Sequence, residues 1–260
     1  MAITSDPGAD QSGPPPVEIG VVLPVHNEAG ILRPLVAEIF DVCAAMGAPA
    51  AIVLVNDGST DSSGEEIRSL IEGNPLCLAV THPANLGYGS ALRSGFAAIL
   101  ARDPEWLMIM DADGSMAPRG IADFRERIRA GDDLVIGCRY GQQGNIERRL
   151  DWIALRNLVS WMGSLAAQWS LRLNLRDYTL GMRAVRADLV RRWKLESRSF
   201  AILMEMVAEA VRLKARVANV PVAYYSRRGG KSKFRYHLGL FIEYLRFLFV
   251  GARARRRVNR

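Results

Sequence analysis

From Val17 onward, short apolar runs alternate with longer segments in which apolar residues recur every three or four positions. Ile19 to Leu23 precedes a helical period over Ile31 to Met46, Ala51 to Val55 precedes Ser62 to Ile71, and Cys77 to Val80 precedes Ser90 to Ala101. Apolar runs of this length, bounded by turn-forming residues, read as buried strands, and the periodic stretches between them as amphipathic helices. Strand and helix units in this order predict an α/β fold. It has a mostly parallel central sheet flanked by helices, with ligands gathered at the C-terminal ends of the strands. A fourth run closes on Met108-Ile109-Met110, and a fifth covers Leu134 to Gly137. Further on, Asp151 to about Leu171 has helical character, Asp177 to Arg186 and Ala215 to Tyr225 read as extended, and Ile202 to Leu213 is a helix between them. No internal repeat is visible.

The strand ends carry the polar residues. Pro24-Val25-His26-Asn27-Glu28 follows the first strand, Asn56-Asp57-Gly58-Ser59-Thr60-Asp61 the second, Asn85-Leu86-Gly87-Tyr88-Gly89 the third and Asp111-Ala112-Asp113 the fourth. In a parallel sheet these tips converge on one rim. Residues 1–16, with Pro7, Gly8 and the Pro14-Pro15-Pro16 run, have little to bury and read as a flexible leader. At the other end, Leu238 to Val250 contains only Glu243 and Arg246 among apolar and aromatic residues. A bilayer-spanning helix needs roughly 20 apolar residues. This stretch is shorter, and reads either as an amphipathic helix at an anionic membrane surface or as a helix packed against the domain.

The 260 residues, 49% of them hydrophobic, suffice for one large α/β domain with an appended terminal element. The formal charge of +7 is uneven: Arg253, Arg255, Arg256, Arg257 and Arg260 crowd the end, and Arg227, Arg228, Lys231, Lys233 and Arg235 form a second cluster. Such patches suit phosphate substrates, anionic headgroups or nucleic acid. Nucleic acid ranks lowest, because no recognised binding motif accompanies the charge. Cys43, Cys77 and Cys138 lie far apart in apolar surroundings and read as inert buried thiols rather than as a disulfide or zinc site. No secretion signal opens the chain, which points to a cytosolic environment.

An apolar strand that stops abruptly at Asp-x-Asp delivers two carboxylates to a sheet edge. Mg²⁺ or Mn²⁺ takes such hard oxygen ligands and commonly bridges them to substrate phosphates, which points to a nucleotide diphosphate. Turn and capping chemistry is the alternative for this pair, and for Asp57-Gly58-Ser59-Thr60-Asp61 as well. Gly87 and Gly89 allow close backbone approach, yet Leu92 stands where a dinucleotide-binding fingerprint has its third glycine. Arg156 and Ser160 are four apart on a helical stretch and so share a face suited to phosphate oxygens.

Taken in order, Pro24-x-x-Asn27-Glu28, Asp57-Gly58-Ser59-x-Asp61, Asn85-x-Gly87-x-Gly89, Asp111-x-Asp113-Gly114-Ser115, Gly137-x-Arg139-Tyr140, Asp177-x-Thr179-x-Gly181-x-Arg183, Met204-Glu205-Met206 and Arg227-x-x-Gly230-x-Ser232-Lys233 resemble a known set. It is that of family 2 glycosyltransferases of the GT-A fold, nearest to dolichol-phosphate mannose synthases and related polyprenyl-phosphate glycosyltransferases. The chain departs from them at Asn56, where aspartate is frequent, at His26, where tyrosine is common, and at Leu180, where the residue is usually small.

The resemblance implies a GT-A nucleotide-diphospho-sugar transferase domain over residues 17–233 and an amphipathic membrane-surface helix with a basic tail over 234–260. It further implies a base and ribose site from Pro24, His26, Glu28 and Asp57, with Gly87 nearby. Asp111, Asp113 and Ser115 would hold Mg²⁺ or Mn²⁺ on the donor diphosphate, and Arg227, Ser232 and Lys233 would close over the same phosphates. Arg139, Arg156 and Ser160 would hold the acceptor phosphate. Asp113, Arg139 and Glu205 would serve the reaction itself, Glu205 by orienting sugar or acceptor. The expected activity is metal-dependent, inverting transfer of a hexose, mannose from GDP-mannose, onto a polyprenyl or dolichyl phosphate at the cytoplasmic membrane face. Rivals are a same-fold transferase using a UDP-sugar or a soluble or polysaccharide acceptor, and a non-catalytic nucleotide-sugar-binding membrane scaffold.

Overall fold

The computed structural model describes residues 16–139, 167–168, 171, 173, 175–225, 239, 242–249 and 251. The first strands and helices fall where the hydrophobic pattern puts them: β1 (Ile19–Val25), α1 (Leu32–Ala45), β2 (Ala50–Asp57), α2 (Ser63–Gly73), β3 (Cys77–His82), α3 (Tyr88–Leu100) and β4 (Trp106–Ile109). Then come a 3₁₀ turn (Pro118–Gly120), α4 (Ile121–Arg129), β5 (Leu134–Cys138), β6 (Arg183–Arg186), α5 (Ala187–Arg192), α6 (Ile202–Arg212) and β7 (Val217–Pro221). The seven strands form one sheet in the order β3-β2-β1-β4-β6-β5-β7. All neighbours are parallel except β6, which runs antiparallel to both β4 and β5.

Both faces of the sheet's centre are covered, which is why β1, β2, β4 and β5 read as continuous apolar runs rather than alternating ones, whereas the edge strands β3 and β7 alternate in burial. Val22, Val53, Val55, Leu107 and Ile109 point to one side, where Leu92, Phe96 and Ile99 of α3 and much of α6 pack on them. Val21, Leu23, Ile52, Leu54 and Met108 point to the other, against Leu32, Leu35, Val36 and Ile39 of α1, Ile67 of α2 and Phe124 of α4. Helix α1 has no side-chain cap of its own. Instead the Glu66 carboxylate reaches across from α2 and accepts the backbone N–H of Gly30 at 2.7 Å and of Arg33 at 2.8 Å, satisfying donors that a helix start leaves orphaned.

The structure adds elements that the sequence reading did not contain. Helix α4 buries only Ile121, Phe124 and Ile128, and α5 is 6 residues long, so neither carries enough apolar period to stand out. The extended stretch expected over Asp177 to Arg186 is a strand only from Arg183, and that expected over Ala215 to Tyr225 only across Val217–Pro221. Of the helix expected from Asp151 to about Leu171, residues 167, 168 and 171 are helical, and the remainder lies outside the described residues, as does the leader. Residues 242–249 are helical, with Phe247 buried. Among the described residues no helix is long and apolar enough to cross a membrane. The three cysteines are buried, and burial pushes the thiols of Cys43 and Cys77 up to about 11, in keeping with inert core residues.

Helix α3 lies close on the sheet at Gly95, where a Cβ would stand 2.5 Å from Val22 Cγ1 and 3.1 Å from Val55 Cγ2. Gly95→Ala is therefore expected to lower unfolding free energy by about 1–3 kcal/mol, read as a reduced denaturant midpoint at unchanged slope. Gly73→Ala, where a Cβ meets nothing within 4 Å, is the control and should leave the midpoint unchanged or slightly raised. Equal midpoints for the two variants would contradict the close α3 contact.

Candidate active site

Because β1, β2, β3 and β4 are parallel and in register, their C-terminal ends lie along one edge, and the loops beyond them are tied together by side chains. His26 Nδ1 donates to the Asp57 carbonyl at 2.8 Å, Ser59 Oγ accepts the Asn27 N–H at 3.0 Å, and Ser63 Oγ accepts the Glu28 N–H at 2.8 Å. Asn27 itself sits at φ 54 and accepts the Thr60 N–H on Oδ1 at 2.7 Å. Asn56 Oδ1 accepts the Ser59 N–H at 2.9 Å, the local turn bond that short amide side chains form.

The carboxylate of Asp57 is buried and knits three segments. Its Oδ1 accepts from His82 Nδ1 at 2.8 Å and from the Leu86 N–H at 2.9 Å, while Oδ2 accepts the Gly87 N–H at 3.0 Å. His82 is steadied on its far side by Ser94 Oγ, 2.9 Å from Nε2. A carboxylate offers about four lone-pair positions, so these three bonds leave Asp57 one acceptor direction. The alternative of turn and loop chemistry is thus realised at this residue.

Gly87, at φ 95, adopts a backbone conformation that favours glycine. The close approach that it and Gly89 permit is to the protein itself: a Cβ on Gly87 would lie 2.3 Å from the Arg198 carbonyl oxygen, and one on Gly89 2.3 Å from that of Ser197. The Gly89 N–H donates to Arg198 O at 3.0 Å. These glycines therefore admit the segment between α5 and α6.

Strand β4 is wholly buried, and the chain leaves it through buried Met110 and Ala112, so Asp111 and Asp113 emerge where the sheet ends. Asp113 is buried, and its Oδ1 accepts the Ser115 N–H at 2.8 Å across the turn at Gly114. Ser115 Oγ is fully buried and meets no hydrogen-bond partner among the described residues. Asp111 accepts a hydrogen bond from the Tyr88 hydroxyl at 2.8 Å. The Tyr88 ring stacks on Phe200 with centroids 4.4 Å apart. Burial, together with the Asp111 charge, pushes the Tyr88 phenol well above its ordinary range, so it remains a donor near neutral pH. Opposite Asp111 stands Gly181, where a Cβ would come within 2.9 Å and 3.0 Å of the two Asp111 oxygens. Any side chain at this position would crowd the carboxylate.

Two buried arginines shape the floor. Arg183 donates to the carbonyls of Leu180 at 2.9 Å, Tyr178 at 2.6 Å and Leu203 at 2.6 Å. Burial lowers its pKa to about 10, which leaves it charged near neutral pH. Arg139 donates from Nε to Asp177 Oδ2 at 2.9 Å and from Nη2 to Asp177 Oδ1 at 3.2 Å and Thr179 Oγ1 at 2.7 Å. The forked edge expected to meet an acceptor phosphate is thus engaged with Asp177. Burial alone would raise the Asp177 pKa, but the Arg139 charge and the hydrogen bonds outweigh it and hold the carboxyl below its ordinary range.

Glu205, on α6, accepts the backbone N–H of Glu196 at 2.9 Å and of Ser197 at 3.0 Å. Burial raises its pKa against the pull of those bonds. A carboxylate with both oxygens on backbone N–H groups holds a segment in place, here the one that fills the space over Gly87 and Gly89. Pro24 lies in β1 at the rim. Arg156, Ser160, Arg227, Ser232 and Lys233 lie outside the described residues. The sequence reading assigned no role to Tyr88, His82, Gly181, Arg183 or Phe200. Tyr88, Gly181 and Arg183 fall within its motifs, but only the fold shows what they touch.

Because the Asp177 pKa is lower folded than unfolded, where it is about 3.9, its pairing with Arg139 contributes stability present above about pH 4. That contribution is lost as pH falls through the folded value. Asp177→Asn is expected to cost about 3–5 kcal/mol at pH 7, because it removes the countercharge of a buried guanidinium, and to flatten the decline of stability below about pH 4. Denaturant midpoints measured between pH 7 and pH 3 check both; parallel curves for variant and wild type would refute the assignment.

Comparison with known proteins bears on the family and the fold. The family model described as glycosyl transferase family 2 matches residues 20–193. The chain is 32% identical over 215 residues to an undecaprenyl-phosphate mannosyltransferase of Micrococcus luteus, covering 82% of this chain and 85% of that one. It is 29% identical over 217 residues to a polyprenol monophosphomannose synthase of Mycolicibacterium smegmatis, covering 82% and 79%. Among solved structures, glucosyl-3-phosphoglycerate synthase from Mycobacterium tuberculosis with Mn²⁺, UDP-glucose and phosphoglyceric acid superimposes with a TM-score of 0.62 at 18% identity, over 91% of this chain and 80% of that one. That likeness is one of fold, and it matches the GT-A architecture expected from the motifs. The chain belongs to glycosyl transferase family 2.

Proposed function

We propose that this chain transfers a hexose, mannose from GDP-mannose, onto a polyprenyl phosphate, with inversion at the anomeric carbon and a requirement for Mg²⁺ or Mn²⁺. The observation that carries the reading is the pair of carboxylates at the end of β4, beside the buried Ser115 hydroxyl, which meets no hydrogen-bond partner among the described residues, and against Gly181, where any side chain would crowd the Asp111 oxygens. The names of the Micrococcus luteus and Mycolicibacterium smegmatis relatives support a polyprenyl-phosphate acceptor and mannose.

The donor set suits the metal. Asp111, Asp113 and Ser115 offer hard oxygens, and among the described residues no cluster of three or more His, Cys, Asp or Glu forms a closed metal cage. A cation shared with substrate phosphates is held by few protein ligands. When bound, it would neutralise charge on the departing nucleoside diphosphate. Asp57, with one acceptor direction left, would receive a base N–H, and Pro24, His26 and Glu28 would border the base and ribose.

An acceptor phosphate is ionised near neutral pH. One of its oxygens forms the bond to the anomeric carbon as the bond to the nucleoside diphosphate oxygen breaks, so no base has to remove a proton. Glu205, engaged on backbone N–H groups, fits that economy: it holds protein, and orientation does the rest. Arg139, anchored by Asp177, would contribute positive charge near the acceptor phosphate, joined by Arg156 and Ser160. Arg227 and Lys233 would close over the donor phosphates. The helical residues 242–249 expose Ile242, Leu245 and Phe249, and the sequence beyond them is arginine-rich. Both favour peripheral attachment through residues 234–260 at the cytoplasmic membrane face.

The test uses radiolabelled GDP-mannose, with UDP-sugars alongside, and a polyprenyl phosphate in detergent. Label is expected in a solvent-extractable, mild-acid-labile lipid. Asp113→Asn keeps the oxygen that accepts the Ser115 N–H but removes the charge, so the melting temperature should hold while turnover falls on the order of 10²-fold or more. Label confined to water-soluble product would reject the lipid acceptor, and unchanged turnover would reject the metal role.

A further inference from the structure

The helical residues 242–249 present two different faces. Glu243, Phe247 and Gly251 recur every four positions and face the body of the protein. Phe247 is buried, and at Gly251 a Cβ would lie 2.4 Å from Leu171 Cδ2 and 3.5 Å from the Ala208 backbone of α6. Ile242, Leu245 and Phe249 face away and are 57%, 39% and 68% exposed. On the inner face, Glu243 Oε2 accepts hydrogen bonds from Ser199 Oγ at 2.5 Å and Ser197 Oγ at 3.3 Å. Tyr244 adds a long bond from its hydroxyl to the Phe200 carbonyl at 3.4 Å.

The segment that Glu243 grips is the one that fills the space over Gly87 and Gly89. It has no regular secondary structure from Lys194 to Arg198, and its conformation is set from outside. Glu205 holds its N–H groups from below, Gly89 donates to the Arg198 carbonyl from the side, and Glu243 holds its two serine hydroxyls from above. Phe200, two residues before the start of α6, stacks on Tyr88, and Tyr88 donates to Asp111. The Glu243 carboxylate is therefore joined to the Asp111 carboxylate through the Ser199 hydroxyl, the peptide link from Ser199 to Phe200, the Phe200–Tyr88 stack and the Tyr88 hydroxyl.

We propose that Glu243 is a positioning residue for the donor site: by holding Ser197 and Ser199 it fixes the Phe200 ring, and through Tyr88 it fixes the direction of the Asp111 carboxylate. Asp111 enters as the metal-side carboxylate of the proposed function, so this inference rests on that reading for its effect on turnover. Its structural part, the coupling of the C-terminal helix to the loop after β3, stands apart from it.

The test compares full-length wild type with Glu243→Ala, Glu243→Gln and Ser199→Ala in two measurements. The first is transfer from GDP-mannose to a polyprenyl phosphate with Mn²⁺, resolved into kcat and KM. The second is hydrogen exchange of peptides spanning residues 86–91 and 194–201. Glu243→Ala and Ser199→Ala are expected to lower kcat about tenfold with the acceptor KM within about twofold, and to speed exchange in both peptides, because a lost preorganising contact acts on the reacting geometry. Glu243→Gln, whose amide oxygen still accepts from both serines, is expected to recover most of kcat.

Faster exchange in 194–201 alone, with kcat at the wild-type value, would overturn the coupling. A loss as deep in Glu243→Gln as in Glu243→Ala would also overturn it, since it would assign the effect to charge and not to the serine contacts. Should Glu243→Ala fail to fold, Ser199→Ala removes the shorter bond from its other end and is judged by the same outcomes. If wild type transfers no sugar, the proposed function fails, and the exchange measurement still decides the coupling.

Discussion

Val22 lies opposite Val53 of β2 on one side and Ile109 of β4 on the other, and this three-strand register decides where every polar tip of the site falls. A one-residue slip between β1 and β4 would turn each buried side chain of the strand to the opposite face. With both faces covered by helices, such a slip would cost packing on both sides at once. The register therefore fixes the end of β4 beside the ends of β1 and β2, and with it the distance from Asp111 and Asp113 to the loops that carry His26, Asn27 and Asp57. The convergence of polar tips at this rim is a consequence of parallel pairing between buried strands.

Around the rim, buried charges do structural work that keeps the site directional. Arg183 organises three carbonyls, Arg139 and Asp177 fix each other, and Glu205 holds two backbone N–H groups. Removed from water, such groups interact strongly and are costly to leave unpaired. Their geometry is consequently set before any ligand arrives. Preorganised polar groups of this kind stabilise charge that develops during a reaction, because no reorientation is needed at that moment. Gly181 complements them by omission, since any side chain there would crowd the Asp111 oxygens.

Much of this was legible in the sequence, and the part that was not has physical causes. Strands β1, β2, β4 and β5 were readable because burial on both faces leaves an uninterrupted apolar run, and the edge strand β3 because Cys77 to Val80 is apolar although Ala79 is exposed. The end of β4 was readable because hydrophobic residues give way to two acids within three positions. Helices α4 and α5 were missed because a short helix shows its apolar face only two or three times. The antiparallel insertion of β6 between β4 and β5 depends on contacts across the chain and leaves no local mark. Asp57, Gly87 and Glu205 were recognised as special, yet their partners are His82, Arg198 and the Glu196 and Ser197 backbone, which no spacing rule links to them. Tyr88 and Gly181 both reach Asp111 from distant parts of the chain, and only the fold brings the three together.

The central claim is that the acidic end of β4 holds a divalent cation together with a nucleoside diphosphate. Calorimetric titration of the protein with GDP, in Mn²⁺ and then in EDTA, tests it most directly. The account predicts binding in Mn²⁺ that weakens at least about tenfold, or about 1.4 kcal/mol, both in EDTA and in an Asp111→Asn variant that melts like wild type. Equal affinity with and without the cation, or in wild type and the variant, would contradict it.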